Sequence, residues 1–296
     1  MSDKSKIEWT DATWNPVTGC TKVSQGCKNC YAERVFPRTY GSLRKFTDVR
    51  THRDRLEQPL HWRKPRRIFV NSISDLFHEE ITDEFIADVF GIMSACPQHT
   101  FQVLTKRARR CADLLFHPDF VEAVDSCGAL YTHTDLHYPL PNVWVGVSVE
   151  DQATAEERIP LLLQTPAALR WISAEPLLGP IDLRRLRRPS NLPPFARIDW
   201  VICGGESGPE ARPFKLDSAR ALRDQCKTTG IPFFLKQIGR RPYSEQDGWS
   251  IRGSGVAVMV GAEWQFRKAL RDPKGGDMDE WPADLRVREF PDKTGI

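Results

Sequence analysis

Three of the eight cysteines lie close together near the start of the chain, in a loop with the spacing C-x6-C-x2-C. They are Cys20, Cys27 and Cys30, and the glycines directly before the first two let the backbone wrap closely around a bound group. Thiolates in one such loop can hold three corners of a 4Fe-4S cluster, which leaves the fourth iron open to a ligand that the protein does not supply. The loop therefore predicts an iron–sulfur cluster with one open position.

A zinc ion is the alternative that the same loop allows. Structural zinc sites usually have four ligands, often as two C-x2-C pairs, whereas this chain has one such pair, Cys27 and Cys30. The spacing favours the cluster, and zinc stays open as the alternative. The other cysteines are scattered, and most are expected to be small buried side chains: Cys96, Cys111, Cys127, Cys203 and Cys226.

The composition is typical of a globular protein without membrane spans. Of the 296 residues, 40% are hydrophobic and 27% are charged, and no apolar run approaches the roughly 20 residues of a membrane-spanning helix. The first residues contain no apolar signal segment, which predicts a cytoplasmic protein. Because disulfides are rare in a reducing compartment, a close-spaced set of cysteines indicates metal binding or catalysis.

Short apolar runs rich in β-branched and aromatic residues recur along the chain. They are nearly continuous rather than alternating, which is typical of strands buried on both faces of a parallel sheet. A further strand is expected just before the cysteine loop, at about 13–18, because of its position. The apolar runs are 67–73, 100–104, 142–149, 169–172, 199–203 and 231–238.

Segments with helical periodicity separate these runs. The clearest are 82–95, with Thr82 as N-cap, and 217–229, with a capping Asp217 and a closing Gly230; 111–124 and 151–164 are weaker, the second expected to be kinked or split at Pro160. Alternating strands and helices predict an α/β fold, a partial TIM-like (β/α) barrel of six or seven units. We expect the barrel domain to span 1–239 and a small C-terminal extension of short strands and turns to span 240–296.

The predicted strands end in polar and charged residues. The carboxyl ends of parallel barrel strands open onto one face, and active sites are assembled there. The candidates at these ends are Ser72, Ser74, Asp75, Lys106, Arg107, Ser148, Glu150, Glu175, Gly204, Gly205, Glu206 and Lys236.

Several motifs together resemble a known family. Beside the cysteine loop, they are SISDLFH (72–78), LTKR (104–107), VGVSVE (145–150), SAEPLLGPI (173–181), CGGESGPEARP (203–213) and WPADLRVREFP (281–291). The series resembles the phage- and bacterium-borne three-Cys-motif family, a radical-SAM-like group related in pattern to spore photoproduct lyase. The loop differs from the commonest radical-SAM loop by three extra residues between the first two cysteines, and Asn29 stands where an aromatic residue is usual.

The resemblance implies a barrel of radical-SAM type, a 4Fe-4S cluster and S-adenosylmethionine (SAM). SAM would chelate the open iron and be split reductively to a 5′-deoxyadenosyl radical, which abstracts hydrogen from a substrate. It would also imply an electron donor such as a flavodoxin or ferredoxin, and a partner protein encoded in the same operon is a further expectation.

The polar groups of SAM suggest roles for the strand-end residues. Asp75, with Ser72 and Ser74, would bind the ammonium group, and Ser148 with Glu150 would suit the ribose hydroxyls. Glu175, Gly204, Gly205 and Glu206 would meet SAM or the substrate. We expect Lys106, Arg107, Arg212 and Lys236 to make a positive rim that suits a carboxylate or phosphate.

Two functions of different classes follow from these patterns. The first is a radical-SAM enzyme acting in repair or modification of a nucleic acid or nucleotide-like substrate. The basic run KRARR (106–110) follows a predicted strand and would contact phosphates. Trp9, Trp14 or Tyr31 would stack on bases. The second is a non-catalytic nucleic-acid-binding or regulatory protein whose zinc or cluster is structural or redox-sensing. Two other basic runs, RKPRR (63–67) and LRRLRR (183–188), suit either function or a solvated surface.

Overall fold

The computed structural model describes residues 5–133, 135–186, 197–246, 250–252, 255–260, 263–268 and 270–292. In chain order, its strands and helices are β1 (Ala12–Trp14), β2 (Val17–Thr18), α1 (Tyr31–Tyr40), β3 (Arg50–Thr51), β4 (Arg67–Val70), α2 (Asp83–Ser94), β5 (Thr100–Thr105), α3 (Ala108–Leu115), α4 (Pro118–Gly128), β6 (Val143–Ser148), α5 (Gln152–Gln164), β7 (Leu169–Ala174), β8 (Trp200–Gly204), β9 (Phe214–Lys215), α6 (Leu216–Thr229), β10 (Phe233–Gln237), β11 (Pro242–Tyr243), β12 (Ser250–Arg252), β13 (Gly255–Val260) and β14 (Glu263–Lys268).

The main sheet has seven strands in the order β1-β4-β5-β6-β7-β8-β10, and every neighbouring pair is parallel. It curls into a half-barrel, so the prediction of a partial α/β barrel is confirmed at that level. Every residue of β6 and β8 is buried, as expected for strands covered on both faces. Because the strands are parallel, all their carboxyl ends lie at the same edge of the sheet.

All six apolar runs contain a strand of this sheet, with ends shifted by up to three residues. The strand expected at 13–18 is divided in two. β1 joins the main sheet, whereas β2 pairs with β3 outside it. Pro16 stands between them, and since proline has no backbone N–H, a ladder is easily interrupted there.

Three of the helix predictions need correction in detail. The segment 111–124 is divided between α3 and α4, because Pro118 begins a new helix at its first turn. α5 runs through Pro160 as one helix and begins with a capping box at Asp151. Asp217 lies inside α6 rather than at its cap, but Gly230 closes that helix in the left-handed conformation as predicted. α2 begins after Thr82, whose side chain accepts a hydrogen bond from the Phe85 N–H.

The core consists of two layers on either side of the curled sheet. The outer layer packs the helices against the sheet and is mostly aliphatic. The layer on the other face is mainly aromatic, and Gly146 of β6 makes room in it for the Trp171 ring, which a Cβ at that position would overlap. The members of this aromatic layer are Trp9, Phe69, Trp144, Leu169, Trp171, Trp200, Ile202 and Phe234.

The described residues after 240 include short strands and turns, and the last of them pack on the edge of the half-barrel. β12, β13 and β14 form an antiparallel sheet, and β11 pairs with β9. The Leu235 N–H of β10 donates to the Val287 carbonyl at 2.9 Å, and Trp281 and Leu285 are buried against the main core. The predicted division at residues 239 and 240 stays a prediction. Within the described ranges no helix has both the length and the apolar character needed to cross a membrane.

We predict that Gly146→Ala destabilises the protein by about 1–3 kcal/mol, since the added methyl group overpacks the aromatic layer against Trp171. Chemical denaturation followed by tryptophan fluorescence measures this change. Gly179→Ala is the matched control, because a Cβ there meets its nearest neighbour, the Asp151 Cβ, at an ordinary 3.5 Å. Equal denaturation midpoints for the two variants would contradict the packing described here.

Candidate functional site

A cavity of about 410 Å³ opens at the carboxyl ends of the parallel strands, a size within the usual range of ligand pockets. The cysteine loop after β2 forms one wall, and the ends of β6 and β10 with the loops that follow β4, β5, β7 and β8 form much of the rest. Of the residues predicted from the sequence, the cavity is lined by Cys20, Cys27, Cys30, Ser72, Ser74, Asp75, Lys106, Arg107, Ser148, Glu175, Gly205, Glu206 and Lys236. The structure does not place Glu150, Gly204 or Arg212 on its wall.

The cysteine loop has little regular structure of its own. Gly19 precedes it with a φ of 91°, a short 3-10 turn spans Gln25–Cys27, and α1 begins directly after Cys30. All three cysteines are partly buried and free of disulfides. No three Cys, His, Asp or Glu side chains in the described part of the chain converge on a point where they would hold one metal ion. The shape of the loop therefore depends on contacts with the strand-end loops beneath it.

Arg107 is the first of these contacts. Its guanidinium donates to the Cys20 Sγ at 3.7 Å and to the Thr21 Oγ1 at 3.0 Å, and it is only 7% exposed. Asp75 accepts from Arg107 at 3.2 Å, and Glu79 accepts from its Nε at 2.9 Å. Burial and the charge of Asp75 raise the pKa of the Cys20 thiol to about 11, although Arg107 acts in the opposite direction.

Asp75 is saturated by protein donors. Besides Arg107, its carboxylate accepts hydrogen bonds from the Thr105 hydroxyl at 2.7 Å, the Phe77 N–H at 3.0 Å and the Lys106 N–H at 3.1 Å. A carboxylate has about four acceptor positions, so little capacity remains for the ammonium group that the sequence assigned to it. In this structure Asp75 holds Arg107 in place.

Glu150 is the second contact, and it lies beneath the loop rather than in the cavity. It is fully buried and accepts hydrogen bonds from the Ser24 hydroxyl at 3.0 Å and from Arg158 at 3.2 Å. Gly26 packs so closely on Glu150 that a Cβ there would overlap the carboxylate. The role predicted for Glu150 at a ribose is therefore not supported by its position, because the loop and Arg158 take up its oxygens.

Glu206 is the third contact. Its carboxylate accepts from the Asn29 amide at 3.0 Å, from the Arg212 N–H at 2.8 Å and from the Arg212 guanidinium. Burial would raise the pKa of Glu206, but the hydrogen bonds from Arg212 and Asn29 outweigh it and lower that pKa. Asn29, which stands where an aromatic residue was expected, thus ties the loop to the end of β8.

The predicted positive rim is neutralised by ion pairs. Lys236 donates to Glu175 at 2.9 Å, and this pairing raises its pKa although burial opposes the change. Lys106 donates to the Ser148 hydroxyl at 2.8 Å and lies 3.5 Å from Glu150. Arg107 and Arg212 are paired with Asp75 and Glu206 as described. The rest of the KRARR run is also occupied, since Arg109 pairs with Asp113 and Arg110 with Asp83.

The inner end of the cavity is aromatic. Trp9 and Phe69 line it, with ring centroids 4.7 Å apart, and Trp9 is 3% exposed. Tyr31 also lines the cavity but is exposed, and its hydroxyl donates to the Ser72 carbonyl at 2.6 Å. Trp14 points into the outer core instead and donates to the Arg55 carbonyl at 2.7 Å, so it is not positioned to stack on a ligand.

A family model described as "Protein of unknown function (DUF5131)" matches residues 4–280. The chain belongs to this family. The searches of curated proteins and of solved structures found no match to the chain. The matched range includes the cysteine loop and all the strand-end loops that hold it, whereas the family description assigns them no role. The resemblance to the three-Cys-motif family stays a prediction.

The sequence patterns did not identify some of the residues that position the cysteine loop or line the cavity. Ser24, Thr21 and Arg158 carry no local signal, because their partners are between 8 and 126 positions away along the chain. Asn71 lies at the polar end of the predicted run 67–73 but was given no role, although it directly follows β4. It adopts a φ of 59°, unusual for a residue other than glycine, and lines the cavity. Its Oδ1 accepts from the Val17 N–H at 3.1 Å, whereas its buried Nδ2 has no partner among the described residues.

We predict that Arg107→Gln lowers the free energy of unfolding by about 3–5 kcal/mol, because it leaves the buried Asp75 carboxylate without its cation. Arg109→Gln is the matched control, since that arginine is exposed and its pair with Asp113 should contribute less than about 1 kcal/mol. Urea denaturation of the metal-free chain measures both. If Arg107→Gln costs no more than Arg109→Gln, the anchoring role of Arg107 is wrong.

Proposed function

We propose that this protein is a radical-SAM-like iron–sulfur protein that cleaves S-adenosylmethionine reductively and acts in the repair or modification of a nucleic acid or nucleotide-like substrate. The observation that carries the proposal is the shared cavity. Cys20, Cys27 and Cys30 line one cavity, and it lies at the carboxyl ends of parallel strands, where α/β barrels assemble active sites.

The donor set suits a cluster. Thiolates are the usual ligands of 4Fe-4S clusters, and Cys20, Cys27 and Cys30 would each hold a different iron. They need not converge on one point, whereas the ligands of a zinc ion must surround it. Gly26 lets the loop lie directly on Glu150, because a Cβ there would overlap that carboxylate.

A second group suits a small ligand beside the cysteines. The unpartnered Nδ2 of Asn71 is a donor that a ligand oxygen, such as a carboxylate, would satisfy after a small adjustment of the wall. The left-handed backbone of Asn71 is a strained conformation of the kind that is concentrated at functional sites. The Ser148 hydroxyl accepts from Lys106 and keeps its own hydrogen for a ligand.

When bound, a reduced cluster would supply the electron that splits the SAM sulfonium into methionine and a 5′-deoxyadenosyl radical. The chain's own residues would hold and enclose the reactants. Arg107 keeps a positive charge at Cys20, and hydrogen bonds and charge near cluster sulfurs are among the factors that set reduction potential. Trp9 and Phe69 would give the bound reactants a buried apolar surface.

The proposal predicts that the chain, reconstituted anaerobically, binds about four iron atoms and makes 5′-deoxyadenosine from SAM when reduced by dithionite or flavodoxin. Cys27→Ala should abolish both properties, because the cluster loses one of its three protein ligands. Metal analysis, the visible absorption spectrum and chromatography of the nucleoside products measure them. Cys127→Ala is the matched control, since Cys127 lies on α4 outside the cavity.

Each other outcome has a distinct meaning. A fully loaded and reduced wild-type protein that makes no 5′-deoxyadenosine, with or without cell extract, would refute the enzymatic proposal. A single zinc per chain with no iron would favour the non-catalytic alternative. Loss of the cluster in Cys127→Ala as well as in Cys27→Ala would show that the cysteine loop is not the specific ligand.

A further inference from the structure

The positive charge around the cavity is distributed unevenly between its inner wall and its mouth. On the inner wall each cation has a carboxylate within 4 Å: Glu150 for Lys106, Asp75 for Arg107 and Glu175 for Lys236. Within each pair the two opposite charges cancel. The inner wall therefore offers polar and aromatic groups but little net charge. Such a wall suits the uncharged part of a substrate.

The mouth is different. Lys6, Arg34 and Lys274 line it, all are exposed, and none has an ion pair with any residue that the structure describes. The Arg34 guanidinium packs directly on Gly208, which holds it against the loop after β8. Glu8, also exposed, is the one acidic side chain of the cavity lining without an ion pair in the described ranges. The free charge of the mouth is therefore positive.

A basic segment continues from the mouth. Residues 38–67 contain ten Lys and Arg but three Asp and Glu, although the whole chain has a net charge of only +3. Within the segment, Phe46 lines the cavity, and its neighbours Lys45 and Thr47 line an open groove of about 720 Å³. The groove and the cavity are therefore lined by consecutive residues of one segment. The other lining residues of the groove are Tyr40, Leu43, Arg44, Asp48 and Arg50. Arg44 and Arg50 share the single carboxylate of Asp48, and Lys45 has no ion pair with any described residue, so the groove keeps a net positive charge.

We propose that the mouth and this groove bind the phosphates of a single-stranded nucleic acid, while the base of one nucleotide enters the cavity. Cationic grooves with nearby aromatic side chains are typical of single-strand binding, and enzymes that act on a base take it out of the stack into a pocket. Trp9 and Phe69 provide the apolar surface at the inner end. This inference names the substrate of the proposed function, but the binding itself requires neither a cluster nor SAM.

The test is fluorescence anisotropy of a short labelled single-stranded oligonucleotide with the full-length protein, across a salt series and without SAM or reductant. For the wild type we expect the logarithm of the binding constant to fall linearly with the logarithm of the salt concentration. Arg34→Gln and Lys45→Gln should each lower the slope by about 0.7, the value for one lost contact to a single strand. Lys227→Gln is the matched control, because Lys227 is exposed in the last turn of α6 and lies outside both the cavity and the groove.

Competitors decide the class of ligand. Displacement of the probe by an unlabelled single strand, and much less by duplex or by inorganic polyphosphate, supports the inference. Equal displacement by all three would overturn it, since only a general preference for anions would remain. Absence of binding at low salt, or an unchanged slope in both variants, would also overturn it. None of these results depends on SAM cleavage, so failure here and failure of the proposed enzymatic activity are distinguishable.

Discussion

The architecture of the site depends on buried carboxylates that hold the cysteine loop down. Asp75, Glu150 and Glu206 follow three different strands, and each binds both an arginine and the loop, directly or through that arginine. A loop with one short 3-10 turn has little shape of its own, so the sheet determines where the thiols lie. A buried carboxylate is costly unless it is paired, and each loop contact therefore comes with a cation.

The polar residues at the strand ends serve the protein's own structure more than the sequence indicated. From the sequence they formed a set of candidate ligand contacts, because polar residues at barrel strand ends usually serve function. In the structure many of them bind one another. Asp75 and Glu150 use their oxygens for the protein, and so the groups left for a ligand are those with spare capacity, such as the Asn71 amide and the Ser148 hydroxyl. The sequence motifs did not distinguish the residues that hold the cysteine loop, such as Asp75 and Glu150, from the residues that are free to contact a ligand.

The strands and most helices were predictable because their signals are local. Continuous apolar runs identified the strands, and Thr82 and Gly230 marked helix ends. The division of α3 from α4 had a local signal as well, Pro118, which deserved more weight than the apolar periodicity around it. The contacts that hold the cysteine loop were not predictable, since the Ser24 hydroxyl donates to Glu150 across 126 positions and nothing in either neighbourhood specifies the other. Residue type suggested that a carboxylate at a strand end is important, but not which partner it has.

The C-terminal residues bring a further lysine to the mouth of the cavity. Gly239 after β10 and Gly275 both have a φ near 70°, and a Cβ on Gly275 would overlap the backbone of Gly239. The Ile238 N–H donates to the Gly275 carbonyl at 2.9 Å, which fixes this close approach. Lys274 reaches the cavity mouth as a result. The extension expected to be a small appendage thus contributes one of the cations that have no ion pair within the described ranges, and Lys6 and Lys274 meet at the mouth although they are far apart in the sequence.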